Sequence, residues 1–333
     1  MIALDANGAD RGPATVAEGG RGSGVPVLLF GPEAELGGPG RDDVVDAPVF
    51  VSNDEEPARA VRSKPDASIV QAARAVADGR AHGLVSAGST GAALAAGLFH
   101  LKRIKGVHRP AVAVLVPVPG KPTLLLDAGA NVDSRPEQLV QFAYMGAAFM
   151  EAVHGVARAR VGLLSIGEEA KKGTPAVVEA NERLAAGPLD FAGNVEGGDL
   201  VGGSLDVVVT DGFTGNVAVK LMEGTSKTVV GAIRDTIRSS AVSSLGGLLI
   251  RGKVGRLREE LDPNTTGGAI LLGLRGVAVI AHGSSSAEGI ANAVRLAQRA
   301  VDERMIEKTA SALAAAGVLR SSEPAVSFAS ADE

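Results

Sequence analysis

The chain has 333 residues, with 33 Lys and Arg against 38 Asp and Glu, a formal net charge of −5 that argues against a general nucleic-acid binder. There is no cysteine, so a disulfide framework, a thiolate zinc site and a covalent thioester on the protein are all excluded. Hydrophobic content of 45% with 44 glycines and 3% aromatics calls for a core of Ala, Val, Leu and Ile, which suits parallel strands covered by helices on both faces.

The first stretch, "IALDANGADRGP", reads as a strand running into a polar turn and a helix. No basic segment precedes an apolar run at the N-terminus, so no secretory signal is expected and the cytoplasm is the expected compartment. "GLVSAGSTGAALAAGL" at Gly83 repeats the pattern inside the longest uncharged run, between Arg80 and Lys102. Its central "SAGSTG" is turn chemistry, so a strand, a turn and a buried helix are expected there rather than a membrane span. The pattern returns in "TLLLDAGANVDSRPEQLVQFAYMG" at Thr123, "RVGLLSIGEEAKKGT" at Arg160, "DVVVTDGFTGNVAVK" at Asp206 and "GVAVIAHGSSSAEGIANAV" at Gly276.

Strands alternating with helices imply a largely parallel sheet whose polar turns gather at the carboxyl ends of the strands, where open α/β sheets bind ligands. Asp5, Asp127, Asp211 and His282 all fall at such ends and are expected to converge on one edge. Gly, Ser and Asn are also what βα loops ordinarily use, so any single turn is weak evidence and the repetition carries the argument.

The usual nucleotide signatures are absent. "GSTG" and "GFTGN" are not G-x-G-x-x-G, "GEEAKKGT" lacks the Gly-Lys-Ser/Thr ending of a phosphate loop, no G-x-S-x-G elbow occurs, and the histidines show no zinc spacing. Helix starts that expose N–H groups without a nucleophile, metal or nucleotide motif point to a small anion such as inorganic phosphate.

As a set, "SAGSTGA", "RIKGVHRPA", "LLDAGANVDSRPEQLVQFAYMG", "LLSIGEEAKKGT", "GNVEGGD", "VVVTDGFTGNVAVKLMEG" and "AHGSSS" resemble the blocks of the bacterial phosphate acyltransferase family, from Ile2 to about Val301. The resemblance implies an α/β/α sandwich with a mostly parallel sheet, of the isocitrate dehydrogenase and phosphotransacetylase group, in a homodimer without metal or organic cofactor. It implies transfer of a fatty acyl group from acyl-[acyl carrier protein] to inorganic phosphate, giving acyl phosphate for phospholipid synthesis by a downstream membrane glycerol-phosphate acyltransferase. The family's catalytic lysine falls on Lys172 and its "GFTGN" asparagine on Asn216. This chain departs from the family's usual blocks at Asn7, Ala9, Ser89, Ser165, Gly198 and Ser286, which bears on hydrogen bonding in the loops more than on the reaction class.

In such a reaction the N–H groups near Gly88, Ser89, Thr90 and Gly91, and near Thr214, Gly215 and Asn216, would hold phosphate, with Asp5, Asp127, Asn131 and Asp211 around them and Lys172 as the cation. Asn216 would donate to the developing oxyanion. Phosphate itself attacks, so no protein nucleophile is required. His282 is a candidate proton donor to the leaving thiol, or a turn histidine bonded to backbone. Lys172 can equally be a solvated loop lysine, Asn216 a plain helix cap, and Asp127 and Asp211 helix caps or groups orienting Lys172.

Two basic clusters offer docking for an acidic carrier protein or an anionic membrane: Lys102, Arg103 and Lys105, and then Arg251, Lys253, Arg256 and Arg258. The second lies among Leu245, Leu248, Leu249, Val254, Leu257 and Leu261, which approximate one helical face suited to dimer packing or to peripheral contact with the cell membrane. A single domain is expected over residues 1–319 with a helical arm at about 225–262, followed by a tail of little core potential at 320–333. A short-chain phosphotransacetylase or dehydrogenase of the same fold group, or a non-catalytic binding protein for anions or acyl carriers, are the competing readings.

Overall fold

A computed structural model describes residues 1–118, 121–260 and 265–320, with the backbone alone for 256–260. The side chains of Arg256, Leu257 and Arg258, together with Leu261 and the tail from 321, therefore lie outside the described residues.

The strands are β1 (Ile2–Asp5), β2 (Val27–Gly31), β3 (Val44–Asp46), β4 (Gly83–Ser86), β5 (Ala111–Val116), β6 (Thr123–Leu126), β7 (Arg160–Leu164), β8 (Asp190–Val195), β9 (Val207–Val209), β10 (Ala269–Leu272) and β11 (Val277–Ile280). They form one sheet in the order β3-β2-β1-β4-β11-β10-β5-β6-β9-β7-β8. Most are buried on both faces, which is why they read as unbroken apolar runs rather than alternating ones.

The helices are α1 (Gly12–Gly22), α2 (Pro57–Ser63), α3 (Ser68–Ala77), α4 (Thr90–Ala96), α5 (Pro136–His154), α6 (Pro175–Ala185), α7 (Gly212–Arg238), α8 (Ala241–Glu260), α9 (Ala287–Asp302) and α10 (Met305–Ala315). One face of the sheet packs with α1, α5, α9 and α10 into a core that includes Leu4, Leu126, Phe142, Phe149, Val294 and Leu313. On the other face α2, α3 and α4 cover Ala3, Leu84, Val112 and Leu271. Farther along that face the first turns of α7 meet Val116, Leu125 and Val208 through Ala218, Val219 and Met222. The expected α/β/α layering is the observed one.

Pairing direction differs from the expectation in one consequential respect. β3, β2, β1, β4 and β11 are mutually parallel, as are β6, β9, β7 and β8. Between these groups β10 and β5 pair antiparallel to each other and to their outer neighbours β11 and β6. Three reversals in a row leave the two groups pointing in opposite directions. The loops after β1, β4 and β11 thus leave the sheet one way, and those after β6, β7 and β9 the other.

The arm is a helical hairpin in which α7 continues outward from its sheet-bound first turns and α8 folds back after Ser239 and Ser240. The Ser244 hydroxyl donates to the Ile237 carbonyl at 3.2 Å, fixing the turn. Beyond it Val229, Val230, Ile233, Val242, Leu245, Leu248, Leu249 and Ile250 are all exposed. Among the described residues no helix is long and apolar enough to cross a membrane.

Candidate active site

The turn after β6 is organised by one buried carboxylate. Asp127 is fully buried, and its Oδ1 accepts from the N–H groups of Val112 at 2.9 Å, Gly129 at 3.2 Å and Ala130 at 3.0 Å. Its Oδ2 accepts from the Asn131 N–H at 2.7 Å and the Asn131 side-chain amide at 2.8 Å. Burial raises the Asp127 pKa, and these bonds to the ionised form counter the shift. A carboxylate so enclosed cannot touch phosphate, so the expected role of Asp127 as a phosphate ligand is corrected: it fixes the 128–131 loop. Asn131 is likewise spent, its amide also donating to the Pro110 carbonyl at 2.8 Å.

The next strand, β9, delivers α7 against this loop. Asp211 caps the helix through Thr214, whose N–H and hydroxyl both donate to it at 2.8 Å. The Gly212 N–H donates to the Asn131 carbonyl at 2.7 Å, and the Gly215 N–H to the Asp211 carbonyl at 3.0 Å. Gly215 is obligatory here, because a Cβ would lie 1.9 Å from the Asp127 carbonyl oxygen. The first turn of α7 has therefore used most of its N–H groups, and the expected phosphate cradle near Thr214 and Gly215 is not free. Asn216 lies beside Gly129, is exposed, and makes no side-chain hydrogen bond among the described residues.

Lys172 sits in the loop after β7, the strand adjoining β9. The loop is pinned by its carbonyls: the Ser165 hydroxyl donates to Lys172 O at 2.9 Å, and the Asn194 amide donates to Glu169 O at 2.8 Å and to Lys172 O at 3.2 Å. Asn181 donates in turn to Asn194 at 2.9 Å. The Lys172 side chain is exposed and forms no ion pair among the described residues. Neither Asp127 nor Asp211 orients it. Sequence reasoning missed Asn181 and Asn194; a polar residue within the apolar strand β8 was the available signal.

At the opposite end of the sheet the groups bind one another. Asp5 is buried and accepts from the Ser86 hydroxyl at 2.7 Å, while that hydroxyl accepts from the Gly88 N–H at 3.1 Å. Burial pushes the Asp5 carboxyl up from 3.8 to about 6, partly offset by the nearby Ser68 and Ser86 hydroxyls and the Asn7 amide. Since the buried Ser68 hydroxyl finds no partner at hydrogen-bonding geometry, the Ser86 bond is the effective one. Asp5 is a brace for the 86–88 turn rather than a phosphate ligand. Ser89 caps α4 by accepting from the Ala92 N–H at 3.5 Å, leaving the N–H groups of Thr90 and Gly91 without a protein partner among the described residues.

His282 follows β11 at this same end. It is exposed, and its Nδ1 lies 2.8 Å from the Ser284 hydroxyl and accepts from the Ser284 N–H at 3.2 Å. The expected convergence of Asp5, Asp127, Asp211 and His282 on one edge is thus overturned by the reversal through β10 and β5. His282 is a turn histidine on the side away from Lys172 and Asn216.

The departures from the family blocks keep simple functions. Asn7 donates to the Ala47 and Pro48 carbonyls, Ser286 caps α9, and a Cβ at Gly198 would meet nothing within 4 Å. Among the described residues no three His, Asp or Glu side chains gather as a metal site would need.

Comparison with known proteins adds a second line of argument. Residues 1–308 match the family model described as "Fatty acid synthesis protein". A phosphate acyltransferase of Heliobacterium modesticaldum is 44% identical over 320 residues, covering 92% of this chain and 95% of that protein. One from Gloeobacter violaceus is 43% identical over 321 residues with the same coverage. Among solved structures, the EutD phosphotransacetylase of Staphylococcus aureus superposes with a TM-score of 0.58 at 16% identity, over 90% of this chain and 94% of that one. A 4-hydroxythreonine-4-phosphate dehydrogenase of Klebsiella pneumoniae does so with 0.52 at 14%, over 90% and 99%. At those identities the likeness is one of fold.

Proposed function

Because the chain belongs to the phosphate acyltransferase family and is an acyltransferase, we propose that it moves a fatty acyl group from the thioester of an acyl carrier protein to inorganic phosphate, and that Lys172 and Asn216 serve the step. A phosphate oxygen attacks the thioester carbonyl carbon, the carbon–sulfur bond breaks, and the proton of the attacking hydrogen phosphate ends on the departing thiol. A thiol pKa near 8.5 makes that departure easy without a strong acid.

The observation that carries this reading is the pair of unspent side chains at the ends of adjoining strands. The Lys172 ammonium and the Asn216 amide are exposed and unpaired among the described residues, while Asp127, Asn131, Ser165, Asn194 and Asp211 are committed to holding their loops. A cation carried on a pinned loop meets the phosphate charge, and an amide donor on the first turn of α7 meets the oxyanion. Donors of this kind typically contribute about 3–4 kcal/mol to the transition state. The Thr90 and Gly91 N–H groups leave the sheet in the other direction and have no role in the step as assigned.

The deciding assay supplies purified protein with an acyl-carrier thioester and phosphate and traps acyl phosphate with hydroxylamine. Product is expected only with both substrates present. Reduction of a nicotinamide cofactor without acyl phosphate would favour a dehydrogenase, and carrier binding without turnover a non-catalytic protein.

The exposed apolar side chains along α7 and α8, with Arg251 and Lys253 among them, call for a cover that is either a second copy of the chain or the surface of an anionic membrane. An acyl phosphate with a long tail would be handed on within the bilayer, which favours docking there for a membrane acyltransferase that uses glycerol phosphate. Leu248→Glu and Leu249→Glu separate the two covers. Loss of vesicle sedimentation with the dimer intact supports the membrane, and dissociation with vesicle binding unchanged supports the dimer.

A further inference from the structure

The connection into β5 carries Lys102, Arg103, Lys105 and Arg109, all exposed. The fold adds cations to it from segments far away in sequence. Arg275, in the turn between β10 and β11, donates its N–H to Lys102 O at 2.9 Å and its Nε to Arg103 O at 3.0 Å. The Arg320 N–H donates to Gly106 O at 2.9 Å. Arg135, at the start of α5, is close enough that with Arg320 and Arg103 it acts on His108; burial is the main cause of that imidazole's lowered pKa, and Glu137 opposes the shift. None of these basic side chains pairs with a carboxylate among the described residues, and Glu137, the acidic residue that acts on His108, is bridged instead by Arg183 at 3.6 Å.

The surface is stiff and adjoins the candidate active site. The buried Gln141 side chain accepts from the His108 N–H at 2.8 Å and donates to Gly106 O at 3.0 Å and Val318 O at 2.7 Å, locking loop, helix and C-terminal segment together. The same loop gives Pro110 O to the Asn131 amide and the Val112 N–H to Asp127. The basic surface thus continues into the shelf against which Asn216 sits. It also lacks membrane anchors: apart from Val132, the large exposed hydrophobic residues lie elsewhere in the described chain.

We infer that this surface, rather than the basic cluster of the arm, docks an acidic protein partner, and that the partner is the acyl carrier whose thioester is consumed at the neighbouring shelf. The identification of the partner rests on the function proposed above. A cluster of unpaired cations speeds encounter with a carboxylate-rich surface and loses its pull as salt rises. A basic patch with Val132 as its single large exposed apolar side chain among the described residues fits a protein surface better than a bilayer.

The test compares two charge reversals in the full chain, Lys105→Glu/Arg109→Glu and Arg251→Glu/Lys253→Glu. The readouts are the affinity for unacylated carrier protein at low and moderate salt and the sedimentation with vesicles rich in anionic lipid. The first reversal is expected to weaken carrier binding on the order of tenfold and to flatten its salt dependence, with the second within twofold of the parent. Lys105→Ala/Arg109→Ala, which adds no repulsion, is expected to give an intermediate loss and guards against misfolding of the reversed protein. A loss confined to the arm reversal would overturn the inference, as would a loop reversal that abolished vesicle binding and spared the carrier, or a parent protein that bound no carrier. If the parent binds carrier through this loop yet forms no acyl phosphate, the docking surface stands and the catalytic reading fails.

Discussion

The loops after β6, β7 and β9 and those after β1, β4 and β11 share one sequence pattern, an apolar run, a Gly-rich polar turn and a helix, yet they divide their polar groups in opposite ways. In the first set the backbone is spent: Asp127 and Asp211 absorb the N–H groups of the turns and of the first turn of α7. What is left over is side chains, Asn216 and Lys172. In the second set the side chains are spent on each other, Asp5 with Ser86 and His282 with Ser284, and the N–H groups of Thr90 and Gly91 are what is left. A turn composition that predicts an anion site in both places thus leaves two unspent side chains in one and a braced helix start in the other. Which groups are free, rather than which are present, separates them.

The hardest way to break the first set is Gly215→Ala. Its Cβ would meet a backbone oxygen at 1.9 Å, where neither the end of β6 nor the first turn of α7 can retreat without losing the Asp127 hydrogen bonds. We expect destabilisation on the order of 3 kcal/mol and loss of activity. At Gly88 in the second set the same substitution meets Asn7 O at 3.0 Å, a contact relieved by a few tenths of an ångström, and about 1 kcal/mol is expected. Thermal or denaturant unfolding of both variants checks the contrast; equal losses would erase it.

Lys172→Ala and Asn216→Ala come next. Each is expected to lose at least about tenfold in turnover, and up to a thousandfold if the donor acts fully in the transition state, with unfolding unchanged because neither side chain holds anything in place. His282→Ala, from the other set, is expected to stay within about threefold, since its imidazole serves its own turn. Acyl phosphate formation measured across the three variants decides this, and a His282 loss exceeding both others would move the chemistry to the opposite end of the sheet.

Much of this was legible beforehand. The run "VVVTDGFTGN" gave the strand, the helix start and Asp211 as one candidate cap, because each follows from local rules about helix starts; that Gly215 is needed for close backbone approach shows only once β6 and α7 are packed together. The direction of the two strand groups was not legible. "AILL" in β10 and "AVAVLV" in β5 carry no mark of parallel or antiparallel pairing, and both are buried in either arrangement. From that one unreadable choice came the mistaken gathering of Asp5 and His282 with Asp127 and Asp211. Spent and unspent groups were hidden for a related reason: that Asn194 reaches back to the carbonyls of the Lys172 loop depends on how β7 lies beside β8, which only the assembled sheet supplies.

Asp5 sharpens the comparison through pH. Its folded pKa of about 6 lies above the unfolded 3.8, so between these values the folded protein binds more protons than the unfolded one, and stability falls as pH rises. The contribution is complete below about pH 4 and gone above about pH 6, an effect of up to about 3 kcal/mol. Asp5→Asn keeps an acceptor for Ser86 and removes the titration, so its stability relative to the parent should rise by up to that amount from pH 4 to pH 7. His154, half-buried with a pKa lowered chiefly by that burial, pulls the other way by costing stability as pH falls, which is why the difference between variant and parent is the quantity to measure. A flat difference would mean that the carboxyl is not held neutral by burial.

The smallest effect is expected where the two sets compete most directly for phosphate. Thr90 is the first residue of α4, and Pro is tolerated at that position because the N–H it removes has no partner within the helix. Ser89 already has the extended backbone that a following proline prefers, with φ −62° and ψ 122°. Thr90→Pro therefore deletes one of the unspent N–H groups at the start of α4 without disturbing the fold, and stability should stay within about 0.5 kcal/mol. If phosphate is met by Lys172 at the other end of the sheet, its KM should move by less than about twofold, whereas Lys172→Ala raises it or lowers kcat. A tenfold rise in phosphate KM from Thr90→Pro would instead place the anion on the start of α4. Attack on a thioester beside Asn216 would then require the two ends of this face to approach one another during the reaction.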